Sequence, residues 1–338
     1  MATANNSTDP CKDPMPFEES KQLLVIVYSL VFAVGLPANC ITAALTLVQI
    51  IKGNVPAIYL FGLSLCELLY LSTIPLWIIY VQNSHQWMMG LLSCKVTGYI
   101  FFCNIYISIL LLCCISIDRY VAVAYALESR GIRSQRVATV VTVALFAVVA
   151  GIYLPVFFTD IQANVKTCFE TSINHRLAVY NVSRFFVGFV IPFVLLIVMN
   201  YKIFQGIQGS CTLTLQQKAK VKYLLIAIIC IFVICFAPYH FVLIVRSVHY
   251  FLYPEDACRF DSRVYTISVV FLCFSTANSV ADPFLYVLAS ENARQEISRT
   301  FKACRIQLSF RSQTDNSKAS NIQRTLKDNF TLDDKEDR

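Results

Sequence analysis

Apolar residues gather into seven long stretches along this chain, separated by short polar intervals. A bilayer core about 30 Å thick takes roughly 20 apolar residues of helix to cross, and Leu23–Ile51, Val137–Phe158 and Tyr223–Val245 reach that length without a charged residue. Val96–Ile117 is equally free of charge, whereas Val55–Val81, Val179–Tyr201 and Val264–Leu288 carry Glu67, Arg184 and Asp282 respectively. The pattern predicts an all-α integral membrane protein, a seven-transmembrane helix bundle over residues 22–289. After Leu288, Glu291 to Cys304 mixes charged and apolar residues, with Ile297 and Phe301 four apart. That spacing predicts an amphipathic eighth helix over 290–304, lying on membrane lipids.

Polar residues fix the orientation. Lys and Arg collect in short cytosolic loops near span ends, and Lys52, Arg130, Arg133, Arg136, Lys202, Lys218, Lys220 and Lys222 fall on one side if the amino terminus is outside. The expected organisation is therefore an extracellular segment at 1–21, the bundle, the surface helix and a disordered cytosolic tail at 305–338. Met1 to Lys21 lacks the apolar centre of a removable signal peptide. Asn5 and Asn6 open overlapping glycosylation sequons, and Cys304 is a palmitoylation candidate. The tail offers Ser312, Thr314, Ser317, Ser320 and Thr325 to kinases.

Composition narrows the function classes. Hydrophobic residues make up 57% of the chain and charged residues 14%, against about a quarter charged in soluble proteins. The net charge of +7 follows membrane topology, which removes its implication of nucleic acid. No nucleophile with a base and no His/Cys/Asp/Glu set at metal-ligand spacing stands out, so an enzyme is not expected. Of the 14 cysteines, Cys11, Cys94, Cys168 and Cys258 fall outside, where disulfides form, and four cysteines allow three pairings.

An ionisable side chain at mid-membrane costs about 2.5–3.5 kcal/mol on the lenient scale, so Glu67, Arg184 and Asp282 each need a reason. A guanidinium in an apolar cavity seeks an anion with forked acceptor geometry, a carboxylate or phosphate. An ion pair with Glu170 or Asp160 is the purely structural alternative.

Six motifs stand in order at the right spans: Gly35-Leu36-Pro37-Ala38-Asn39, Trp87-Met88-Met89-Gly90, the pair Cys94 and Cys168, Asp118-Arg119-Tyr120, Cys235-Phe236-Ala237-Pro238-Tyr239, and Asp282-Pro283-Phe284-Leu285-Tyr286. Together they resemble the rhodopsin-like G-protein-coupled receptors. Within that family Ser64 to Tyr70, Tyr125 to Gly131 and Gln217 to Lys222 are similar to the proton-sensing and bioactive-lipid group. The resemblance implies a disulfide Cys94–Cys168, leaving Cys11 for Cys258, and a plasma-membrane receptor with heterotrimeric G proteins, arrestin and receptor kinases as partners. It places Asp118, Arg119 and Tyr120 at the G-protein face, with Asp118 paired to Arg119 at rest. Ile109, Pro192, Phe232, Phe236, Pro238, Pro283 and Tyr286 are its switch positions. Asn39, Glu67, Asn104, Ser108, Asn278, Ser279 and Asp282 match a polar cluster able to hold a sodium ion or a shared proton.

The resemblance also puts Arg184 in the ligand pocket, with Phe101, Phe102, Phe185, Tyr239, His240 and Leu272 as apolar lining and Arg246 and Arg263 as further headgroup cations. Phe101 stands where amine receptors carry an acidic residue, which disfavours aminergic ligands. The expected ligand is an acidic lipid: an oxidised fatty acid, an N-acyl amino acid or a lysophospholipid. Proton sensing is the alternative, with His85, His175, His240 and His249 as its candidate groups. A transporter or channel is the alternative from another class.

Overall fold

The computed structural model describes residues 16–125, 133–158, 167–169, 173–209 and 214–289. Among them are seven helices long and apolar enough to cross a membrane: α1 (Phe17–Ile51), α2 (Pro56–Gln82), α3 (Leu91–Ala124), α4 (Gln135–Phe157), α5 (His175–Gln208), α6 (Leu215–Leu252) and α7 (Pro254–Leu288). Asn5, Asn6, Cys11, Cys304, the surface helix expected over 290–304 and the tail lie outside the described residues.

The helices outrun the apolar stretches that predict them. α3 continues past Ile117 to Ala124, and α6 begins at Leu215, not Tyr223, because apolarity marks contact with lipid whereas helix needs only satisfied backbone groups. α6 starts in a capping box: Thr214 Oγ1 accepts from Gln217 N–H, and Gln217 Oε1 accepts from Thr214 N–H. The Thr-x-x-Gln spacing was readable in the sequence. Ser134 and Asn174 cap α4 and α5 with the side chain alone, accepting from Val137 N–H and Leu177 N–H.

The bundle is apolar outside and polar within. Val140, Ile234 and Phe284 are more than 60% exposed, as lipid-facing side chains are. Asn39, Glu67, Asn104, Ser108, Asn278, Ser279 and Asp282 are buried, where polar groups in membrane proteins find partners. α3 runs through the centre, with Ile105, Ile109, Leu111, Leu112 and Ile115 buried.

Prolines distort four helices, and in two of them side chains donate to backbone carbonyls near the break. In α2 the helix breaks at Ser72 and Thr73 before Pro75, and both hydroxyls turn back to the carbonyls of Leu69 and Tyr70. α5 and α6 carry π segments, Phe186–Val190 and Phe232–Phe236, immediately before Pro192 and Pro238. In α7, Pro283 cannot donate to the Ser279 carbonyl, and Asn39 Nδ2 of α1 takes it at 2.7 Å. Gly35 permits that approach, since a Cβ there would lie 3.1 Å from Leu71 and 3.5 Å from the same carbonyl.

At the Arg184 end of the bundle a disulfide joins Cys94 at the start of α3 to Cys168 before α5, as the resemblance implied. Cys258 is also disulfide-bonded; Cys11, the partner expected for it, is outside the described residues.

Candidate functional site

Arg184 lies on α5 and is 8% exposed. Its guanidinium carbon sits 4.7 Å from the Phe102 ring centroid and 5.5 Å from those of Tyr106, Tyr180 and Tyr239. Nε donates to the Tyr106 hydroxyl at 2.9 Å and Nη2 to the Tyr239 hydroxyl at 2.8 Å. Both acceptors are neutral, and no carboxylate pairs with Arg184 among the described residues; Glu170 and Asp160, the alternative ion-pair partners, lie outside them. The cation is thus held in an aromatic box by cation–π contact and two hydroxyls. The edge of the guanidinium between its two terminal nitrogens still carries donors for a forked acceptor.

Of the predicted lining residues, Phe102, Tyr239 and His240 belong to this box and its wall. Phe101 turns towards α2, packing on Tyr70 and Trp77. Phe185 packs with Phe186, Phe189 and Phe241, of which Phe186 and Phe241 are more than half exposed; one helical step from Arg184 rotates it towards the lipid-facing side. Leu272 is half-buried and Arg263 exposed.

Arg246 is committed elsewhere. Its Nε and Nη2 make a bidentate pair with Asp261 of α7, both at 2.9 Å, and Asp261 also accepts from the Ile173 N–H at 3.0 Å. The expected headgroup cation is a tie between α6, α7 and the segment before α5.

Sequence reasoning missed Tyr106, Tyr153 and Tyr180. Tyr153 stacks on Tyr106 and Phe102. The pairs Phe102/Tyr106 and Tyr180/Arg184 are each four apart, the spacing that puts two side chains on one helix face, so the signal was present. Phe169 was missed as well: next to Cys168, with φ of 62°, it lays its ring on Gly98, where a Cβ would come within 1.9 Å, and meets Phe102 edge-on. A plug of this kind depends on loop conformation, which residue spacing does not encode.

Deeper in the bundle, Glu67 Oε1 accepts from Ser108 Oγ (2.8 Å) and Asn278 Nδ2 (2.9 Å), and Oε2 accepts from Ser279 Oγ. Both Asp282 oxygens are buried with no hydrogen-bond donor among the described residues, and Asp282 lies within reach of the Glu67 carboxylate. Asn104 donates to Cys66 Sγ at 3.6 Å, and Asn39 serves backbone carbonyls. The carboxylate cluster is thus Glu67, Asp282, Asn104, Ser108, Asn278 and Ser279, with Asn104 also bonded to Glu67. Among the described residues no group of three His, Cys, Asp or Glu is arranged to hold a metal.

Of the switch positions of α6, Phe232 packs on α5 aromatics. Phe232 and Phe236 are fully buried and touch each other edge-on, and Phe232 stacks on Phe189 and Phe193 either side of Pro192. Ile109 of α3 and Tyr286 of α7 are buried as well.

At the opposite end, the expected pairing of Asp118 with Arg119 is not what forms. Arg133 grips Asp118 through Nε (2.8 Å) and Nη2 (3.0 Å), while Arg119 Nε is buried without a hydrogen-bond partner. Neighbouring helical residues point about 100° apart, which turns Asp118 towards the chain entering α4 and leaves Arg119 on another face. Tyr120 packs against the Ile203, Ile207 and Leu225 cluster of α5 and α6.

Seven membrane-length helices around a buried polar axis, kinked at prolines and strapped at one end by Cys94–Cys168, define a receptor of the rhodopsin type. The model of the 7 transmembrane receptor (rhodopsin family) matches residues 38–286, and the chain belongs to that family. It is 53% identical to Probable G-protein coupled receptor 132 of Mus musculus over 303 residues, 88% of this chain and 78% of that protein. With the Homo sapiens Probable G-protein coupled receptor 132 it shares 51% over 305 residues, 89% and 79% of the two chains. G-protein coupled receptor 68 of Homo sapiens is 34% identical over 307 residues, covering 89% of this chain and 82% of its own. The chain is a G-protein-coupled receptor, a multi-pass plasma-membrane protein and not an enzyme.

Proposed function

We propose that the receptor responds to an acidic lipid, an oxidised fatty acid, an N-acyl amino acid or a lysophospholipid, whose anionic headgroup docks on Arg184. One observation carries this reading: a buried guanidinium whose hydrogen-bond acceptors are both neutral hydroxyls. Burying a cation without a carboxylate partner, as Arg184 is among the described residues, is costly, and a carboxylate or phosphate from the ligand offsets that cost with charge-assisted bonds. The amino terminus faces the outside, so that Arg184 lies on the ligand side and Asp118, Arg119 and Tyr120 on the G-protein side. Activation proceeds by outward movement of α6 about its Pro238 kink, with Ile109, Pro192, Phe232 and Phe236 transmitting the change and Arg119 meeting the G protein. Arrestin and receptor kinases act on the tail.

The buried carboxylates have a supporting role in this reading. Glu67, Asp282 and the Ser108 hydroxyl form an all-oxygen set of the kind hard cations take, and the Asp282 oxygens, with no donor among the described residues, suit a sodium ion or a shared proton. Either would neutralise charge in the bundle core.

Proton sensing has one supporting observation, His249 Nε2 at 3.8 Å from Asp256. The test is G-protein activation by intact receptor and Arg184→Ala at matched surface levels, with acidic lipids at two pH values. The expected result is a right-shift of roughly 10- to 100-fold for Arg184→Ala, the worth of a charged hydrogen bond, with ligand-independent signalling no lower than in the intact receptor. Inert lipids together with equal activation of both proteins by acid would replace the lipid reading with the proton one.

A further inference from the structure

The Arg184 guanidinium begins a directed chain of hydrogen bonds that ends on the backbone of α6. Nε–H donates to Tyr106 Oη at 2.9 Å, Tyr106 Oη lies 3.2 Å from His240 Nε2, and His240 Nδ1 lies 2.7 Å from the Phe236 carbonyl oxygen. A carbonyl only accepts, so Nδ1 carries the ring proton. In a neutral imidazole Nε2 then accepts, and the Tyr106 hydroxyl donates to it while accepting from Arg184. A second arm runs from Nη2 to the hydroxyl of Tyr239, the residue before His240.

One guanidinium on α5 therefore fastens α3 and two adjacent residues of α6. The longer arm ends on Phe236, the last residue of the π segment that precedes Pro238. The imidazole is fully buried and stacked on Phe189 of α5, centroids 4.9 Å apart. Gly188, one turn after Arg184, makes the seat for Tyr106, because a Cβ there would lie 2.4 Å from its Cε1.

We propose that this chain locks the resting packing of α3, α5 and α6, and that the lipid headgroup opens the lock by drawing the guanidinium away from the two tyrosines. The headgroup half of the proposal rests on Arg184 being the anchor argued above. A carboxylate competes well against neutral hydroxyls, since charge-assisted hydrogen bonds are roughly twice as strong as neutral ones. When Nε and Nη2 turn to the headgroup, α6 loses both ties to Arg184 beside its kink. A ligand that prefers the untied packing shifts the population towards it. Tyr106, His240 and Gly188 are then positioning residues, acting through Arg184 and Phe236.

Tyr106→Phe keeps the ring and removes the hydroxyl, and Gly188→Ala displaces the same ring from a different helix. Tyr99→Phe is the control: its hydroxyl, also on α3, donates to the Ala150 carbonyl at 2.9 Å, away from the chain. Two quantities are read at matched surface expression: ligand-independent nucleotide exchange on the G protein, and binding of a radiolabelled hydroxylated long-chain fatty acid. Tyr106→Phe is expected to raise basal exchange about threefold to tenfold, the shift that loss of one such bond gives a two-state equilibrium. Gly188→Ala moves it in the same direction, fatty-acid binding persists in Tyr106→Phe, and Tyr99→Phe matches the intact receptor. Basal exchange unchanged in both Tyr106→Phe and Gly188→Ala overturns the lock. So does loss of fatty-acid binding in Tyr106→Phe without a basal change, which would make Tyr106 a prop for Arg184 alone. Because basal exchange is read without ligand, failure of the intact receptor to bind the fatty acid removes the headgroup half and leaves the lock to be decided by the basal readout.

Discussion

Arg184 and Arg246 carry the same charge near the same end of the bundle, yet their partners set opposite expectations. Arg184 meets aromatic faces and two neutral hydroxyls; Arg246 meets the buried carboxylate of Asp261 through both arms of its fork. Removing one member of a buried ion pair leaves the other charge uncompensated and costs about 3–5 kcal/mol. Arg246→Ala should therefore lower the thermal midpoint of the detergent-solubilised receptor by several degrees while leaving lipid potency within a few-fold. A variant of normal stability with potency lost as in Arg184→Ala would return Arg246 to the headgroup site. The sequence marked Arg184 because it interrupts an apolar run. It offered Arg246 as a further headgroup cation and missed its pair, because Asp261 lies outside the apolar stretches and a pairing across two helices has no local spacing to betray it. The hydroxyl contacts of Arg184 were hidden for the same reason: spacing puts Tyr106 on the face of Phe102 and Tyr239 was an expected lining residue, but neither shows its hydroxyl turned to Arg184 until three helices are brought together.

Among the elements, α1 and α7 are joined by a repair. Pro283 frees the Ser279 carbonyl, and Asn39 supplies the donor that proline lacks. Asn39→Leu should destabilise the bundle by about 1–2 kcal/mol, near the upper end for hydrogen bonds between membrane helices, read as a drop in thermal midpoint. An unchanged midpoint would mean that the Ser279 carbonyl finds another donor. Number, order and approximate centre of the helices were legible, because each span must satisfy its own backbone and show lipid an apolar face. Their ends were less so: α6 extends through Lys218, Lys220 and Lys222, which the apolar boundary assigned to a loop, and the capping box at Thr214 was the better guide. The π segments in α5 and α6 were not readable beyond the presence of Pro192 and Pro238, since proline announces a disturbance without naming its form.

Across the whole molecule the polar residues fall into three levels: the aromatic box around Arg184, the carboxylate cluster of Glu67 and Asp282, and the Asp118–Arg133 clamp. Family motifs located the lower two, although neighbouring sequence suggested Arg119 as the partner of Asp118 and helix geometry assigned Arg133. The upper level is where the proposed acidic lipid is recognised, with Arg184 proposed to read its negative charge. The most direct measurement compares a hydroxylated long-chain fatty acid with its methyl ester on the intact receptor and on Arg184→Ala. The ester keeps the chain and the hydroxyl and loses only the charge. The acid should be at least about tenfold more potent than the ester on the intact receptor, a difference of about 1.4 kcal/mol, and the two should be equivalent on Arg184→Ala. Equal potency of acid and ester on the intact receptor would contradict the charge-reading role of Arg184.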